Sequence, residues 1–220
     1  MAIQTPDMRK AGIDVPMDFT SWLPFAAPHY HISASLKDYV LTPVIIMPSD
    51  LPNRNAVGFP LSQLIEFNPA LGKVAYKTWK GKPTHYEHQN TDITKAYGVI
   101  VDTYLRKMEG YGQGKIWKLL ALLAFDRSKH PDFCTRVLSG DMNSYSMGAY
   151  ISSYTCSFCH SPVGQCSHLN PKASGEIYIL SGKLVFKQVC GVEGFETSGV
   201  ESPAYISAIS DTLLIPRVQS

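Results

Sequence analysis

The first strongly patterned stretch of the chain is apolar almost throughout. Tyr39-Val40-Leu41-Thr42-Pro43-Val44-Ile45-Ile46-Met47-Pro48 predicts a buried strand, interrupted or bounded by Pro43. Upstream, residues 1–36 have no regular periodicity, are rich in Pro, His and aromatics, and read as an irregular arm. Downstream, residues 49–55 form a turn-rich loop, and Pro60 opens a short helix over 61–66. Residues 74–79 read as a strand, closed by a turn at Gly81-Lys82-Pro83 and followed by His85-Tyr86-Glu87-His88. A second strand runs over 96–105, where Gly98 marks a bulge or a close backbone approach. Residues 115–125 are nearly all apolar and predict a buried helix. A second helix covers 131–139, with Pro131 in its first turn and Gly140 past its end. Then come a strand over 147–154, a hairpin over 175–189 turning at Ser181-Gly182-Lys183, and a further strand over 195–200. Strands outnumber helices, which gather between 115 and 140. This predicts an α+β fold with a mainly antiparallel sheet or barrel.

Composition narrows the function classes. The 220 residues suffice for one large domain or a domain with an insertion, and 45% hydrophobic against 17% charged residues is globular usage. Twenty Lys+Arg against 18 Asp+Glu leave a formal net charge of +2, with no basic tail or stripe. That argues against a nucleic-acid module and a membrane-surface protein. No run approaches the roughly 20 apolar residues that span a bilayer, and the start of the chain lacks a signal-peptide pattern. A cytosolic protein is expected. There, clustered cysteines point to metal rather than disulfides.

Three of the five cysteines form such a cluster. Cys156-x2-Cys159-x6-Cys166-x-His168 offers three thiolates and an imidazole, the ligand set of a tetrahedral structural Zn2+. His160 is the alternative to His168. Four protein ligands leave no open position for a catalytic water. Cys134 and Cys190 read as core thiols. The metal-binding segment, residues 155–170, is expected to be an insertion.

Ser146, in Tyr145-Ser146-Met147-Gly148, stands at a strand start where a hydroxyl can be presented as a nucleophile. A nucleophilic serine needs a base, most often His, held by a third polar group. The candidate bases are His88 and His85. Spacing cannot choose between them, because such a triad meets only in the fold.

The order of several segments resembles the prohead (capsid maturation) proteases of tailed bacteriophages, relatives of the herpesvirus assemblin proteases. Leu51-Pro52-Asn53-Arg54-Asn55 with Phe59-Pro60-Leu61 and Leu64 is similar to the family's Asn-Arg-Asn segment and short helix. Gly81-Lys82-Pro83-x4-His88, then Gly98-Val99-Ile100, is similar to its catalytic-histidine loop and next strand. Arg136-Val137-Leu138-Ser139-Gly140, then Tyr145-Ser146-Met147-Gly148, is similar to the helix leading to its serine. Residues 195–204, with Ala208, are similar to its closing acidic strand and Pro-Ala segment.

The resemblance covers about residues 39–210. It implies a serine endopeptidase on a mainly antiparallel β-barrel flanked by helices, over residues 37–215. Ser146 would be the nucleophile, His88 the general base and Glu196 the orienting group; the herpesvirus branch has a second histidine in that third place. His85 remains the alternative base. Oxyanion donors are expected from backbone N–H groups near 147–149 or in the 140–143 loop. Implied substrates are phage scaffold and major capsid proteins, with portal protein and the chain itself as further candidates. Cleavage would occur inside a procapsid in the host cytoplasm, and a homo-oligomer is compatible with this. The zinc knuckle is not general in the family, and is expected to staple a loop near the active site. The alternative is a zinc-stapled virion structural protein with a protease-like fold and no activity, whose N-terminal arm docks on a neighbouring subunit.

Overall fold

The computed structural model describes residues 19–109, 116–169 and 177–210. In chain order its helices are α1 (Phe19–Tyr30), α2 (Leu61–Leu64) and α3 (Pro131–Ser139). Its strands are β1 (Tyr39–Pro48), β2 (Val57–Gly58), β3 (Phe67–Asn68), β4 (Lys73–Val74), β5 (Pro83–Tyr86), β6 (Gly98–Lys107), β7 (Trp117–Asp126), β8 (Tyr145–Cys156), β9 (Tyr178–Leu180), β10 (Lys183–Val185) and β11 (Lys187–Gly199). The fold is mixed α+β and dominated by one seven-stranded sheet, ordered β1-β7-β6-β5-β11-β2, with β8 also paired to β11. The β1–β7, β6–β7, β5–β6 and β8–β11 pairs are antiparallel. β11 is parallel to β2 at its start and to β5 at its end. The named strands do not form a closed ring. Isolated bridges join Ile209 to Ser144, just before β8, and Ser210 to Val44, in the middle of β1.

The apolar segment expected as a helix is β7. Its even and odd positions face different cores. Leu119, Ala121, Leu123 and Phe125 join one buried cluster with β1, α3 and β8. Leu122 and Ala124 join a second cluster under α1. A strand buried on both faces shows no alternation, so its apolar run imitates a buried helix. Lys115, the expected first residue, lies outside the described residues, as do the expected hairpin's residues 175 and 176.

The covering helix corrects the second expectation. Residues 19–30 are helical rather than irregular, although Pro24 and Pro28 stand inside the helix. Phe19, Leu23, Ala27 and Tyr30, spaced three or four apart, supply the buried face. Residues 74–79 are not a strand either. After Val74 the chain turns through a 3-10 segment, Ala75–Lys77, which buries Ala75 and Trp79. The strand expected over 195–200 is the end of the longer β11. Gly98 shows the close approach: a Cβ there would lie 1.8 Å from the Ala124 carbonyl oxygen. Among the described residues no helix is long and apolar enough to cross a membrane.

Candidate functional site

α3 delivers the chain to β8. Pro131 starts it, Gly140 caps it with φ 85°, and Met142 N–H returns to the Arg136 carbonyl. Tyr145 is then fully buried, stacked 6.3 Å from Phe125. Tyr145 belongs to the main core, and Met147 and Ala149 pack against it. Strand alternation therefore turns Ser146 and Gly148 to the opposite face. Ser146 lies opposite Ser198, and Gly148 opposite Glu196, in the β8–β11 register.

Glu196 is fully buried on β11. Its carboxylate is held at both oxygens. His88 Nδ1 lies 2.9 Å from Oε1, and the Ser198 hydroxyl donates to Oε2 at 2.7 Å. Gly148 makes room for it: a Cβ there would stand 2.6 Å from Glu196 Oε1 and 2.5 Å from the Phe195 ring. Trp79 fixes the same place from the side, donating its Nε1–H to the Gly148 carbonyl at 3.1 Å.

His88 reaches Glu196 because the chain reverses after β5. Glu87 and His88 both take left-handed backbone, φ 49° and 53°. Glu87 N–H donates to the Gly199 carbonyl, and its carboxylate accepts the Glu201 N–H. His88 is half-exposed, and hydrogen bonding to Glu196 raises its pKa, against the opposing effect of burial. His85 is placed quite differently. It is in β5 rather than on the loop, 1% exposed, with neither ring nitrogen bonded to any described residue. Burial lowers its pKa.

Ser146 and His88 line the same open cleft of about 560 Å³, with Tyr145 and Met147 on one side and Asn53–Asn55 and Ser202–Tyr205 on the other. His85 does not line it. The far wall is tied together by Arg54, whose N–H donates to the Ala204 carbonyl and whose guanidinium donates to Ser202 Oγ at 2.9 Å. Asn53 Oδ1 accepts the Asn55 and Val57 N–H groups and shapes that loop. No hydrogen bond joins Ser146 to His88 among the described residues. Tyr145 N–H donates to Ala208, and Ser144 accepts from Val200. By alternation, Met147 N–H then lies on the β8 edge away from β11.

The four candidate metal ligands also converge. One donor atom each from Cys156, Cys159, Cys166 and His168 lie within 4.8 Å of one another. Cys159 and Cys166 Sγ are 3.4 Å apart, and Cys166 Sγ is 3.6 Å from His168 Nδ1. A tetrahedral ion with metal–sulfur bonds of about 2.3 Å needs sulfurs roughly 3.8 Å apart, so the set fits. Backbone N–H groups of Phe158 and His168 donate to Cys156 and Cys166 Sγ. Hydrogen bonding from Ser161 pulls the Cys159 pKa down to about 6. His160 is outside the cluster. The knuckle closes the far end of β8, up to roughly 30 Å along the strand from Ser146. It staples β8 to β10 and β11 through Ser157 and Phe186, and not a loop beside Ser146.

Ser198, Trp79 and Gly148 are the site residues that sequence reasoning missed. Only the Glu196-x-Ser198 alternation, which sets both side chains on one face, could have signalled the first. No protein-family model, no curated protein and no solved structure matches the chain.

Proposed function

We propose that the chain is a serine endopeptidase of the prohead-protease type, with Ser146 as nucleophile, His88 as general base and Glu196 as its orienting group. The observation that carries this reading is the His88–Glu196 pair beside a cleft that Ser146 also lines. The bond at Nδ1 leaves His88 Nε2 for the serine. In the reaction Nε2 takes the Ser146 proton as Oγ attacks a peptide carbonyl, then gives it to the leaving amine. Glu196 stabilises the imidazolium that forms between those steps. Met147 N–H, on the strand edge beside the nucleophile, is the oxyanion donor. Water then attacks the acyl-enzyme, with His88 again as base.

The bridges at Ile209 and Ser210 support reading the sheet as a barrel closed through that segment. The Cys156, Cys159, Cys166 and His168 set supports a structural Zn2+. When bound, the ion holds the ends of the knuckle together; its separation from Ser146 keeps it out of peptide hydrolysis. Scaffold and capsid proteins in an assembling procapsid are the proposed substrates.

One observation favours the inactive structural reading: Ser146 and His88 are not hydrogen-bonded. In enzymes without substrate, however, catalytic hydrogen bonds are often long and tighten only in the complex. Incubating the phage's scaffold and capsid proteins with the wild-type chain and with Ser146→Ala separates the two. The proposal expects new termini with wild type alone. Cleavage by both, or by neither, contradicts it.

A further inference from the structure

Glu196 is bonded to one histidine and shares a cavity wall with another. Oε1 is 2.9 Å from His88 Nδ1. His85 of β5 is in register with Ser198 of β11, which is opposite Ser146 of β8. Ser146, Ser198 and His85 therefore form one row across three strands, and Glu196 lies two residues before Ser198 on the same face. His85 is 1% exposed, and both its ring nitrogens are unpartnered among the described residues. Buried polar groups are nearly always hydrogen-bonded, so this imidazole is an unsatisfied donor and acceptor beside a carboxylate. The two share the wall of a cavity of about 420 Å³.

What holds Glu196 the other way is Ser198. This fully buried residue donates its hydroxyl to Oε2 at 2.7 Å. A carboxylate oxygen that loses such a donor inside the protein must find another, and His85 offers an N–H. We propose that Ser198 is a positioning residue that commits Glu196 to His88 by withholding its second oxygen from His85. The catalytic consequence rests on the serine-endopeptidase reading; the choice between the histidines does not.

Four proteins test this: wild type, Ser198→Ala, Ser198→Thr and Ser198→Ala/His85→Phe, in which the phenyl ring has no donor. Imidazole 15N NMR reads which histidine holds the carboxylate, independently of any peptidase activity. In wild type a hydrogen-bonded Nδ1–H is expected on His88, and none to a carboxylate on His85. In Ser198→Ala the His88 signal is lost and His85 gains a carboxylate-bonded N–H. Ser198→Thr, which keeps a hydroxyl, retains the wild-type pattern. Loss of a hydrogen bond to a charged group corresponds to about a 10- to 100-fold fall in kcat, with KM little changed. Removing the competitor in the double variant restores the His88 signal and most of that kcat. An unchanged His88 signal in Ser198→Ala, or a double variant no better than the single one, overturns the assignment. A wild-type chain that cleaves no peptide overturns the proposed function instead, and the NMR comparison still decides the role of Ser198.

Discussion

His88 Nδ1 and Glu196 Oε1, 108 residues apart in sequence, lie 2.9 Å apart in the fold. The carboxylate is fully buried and the imidazole half-exposed. One ring nitrogen is thus fixed, while the other stays free toward the cleft.

The pair sets a pH dependence. Glu196 raises the pKa of His88, so the base is freed of its proton only above the ordinary imidazole value of about 6.5. We expect kcat/KM for peptide cleavage to rise with pH through an apparent pKa above that value. Glu196→Gln should move this limb to lower pH and reduce the plateau by about 10²–10⁴-fold. The linked stability has the opposite course. Because the folded pKa is the higher one, the pair's contribution is full below about pH 6.5 and is lost as pH rises through the raised value. Denaturant midpoints of wild type and Glu196→Gln across pH 5–9 check it.

Gly148→Ala should act on the carboxylate without replacing a titratable group. Its Cβ would meet Glu196 Oε1 at 2.6 Å and the Phe195 ring at 2.5 Å. Such overpacking costs about 1–3 kcal/mol. A fall in activity of at least about tenfold, larger than that of Ala149→Gly on the same strand, is the expected result in parallel assays.

Metal removal should weaken the fold and leave the chemical step to Ser146. Chelation, or Cys159→Ser, is expected to release one zinc per chain and lower Tm by roughly 5–10 °C. Elemental analysis and calorimetry on the same samples measure both. Cleavage at a temperature where the metal-free chain remains folded should persist.

Much of this was readable in the sequence where one physical signal dominated. Pro131 and Gly140 bracket α3, and the Cys/His spacing located the four side chains that cluster as candidate metal ligands. Ambiguity arose where two cores meet. β7 has no polar face because α1 covers the side that would otherwise be solvated, and α1 itself was hidden by Pro24 and Pro28. The surroundings of Ser146 were less legible still. The separation of His85 from His88 depends on a left-handed turn at Glu87 and His88, conformations that those residue types do not announce. Ser198 matters only through register, which pairs β11 with β5 on one side and β8 on the other.

In the proposed function, His88 and Glu196 activate Ser146. Reaction with a fluorophosphonate, followed by intact-mass and peptide mapping, tests it without knowledge of the natural substrate. One covalent adduct is expected on Ser146 in the wild-type chain, formed at least about 10²-fold more slowly in His88→Ala. An unlabelled Ser146, or a labelling rate that His88→Ala leaves unchanged, would contradict it.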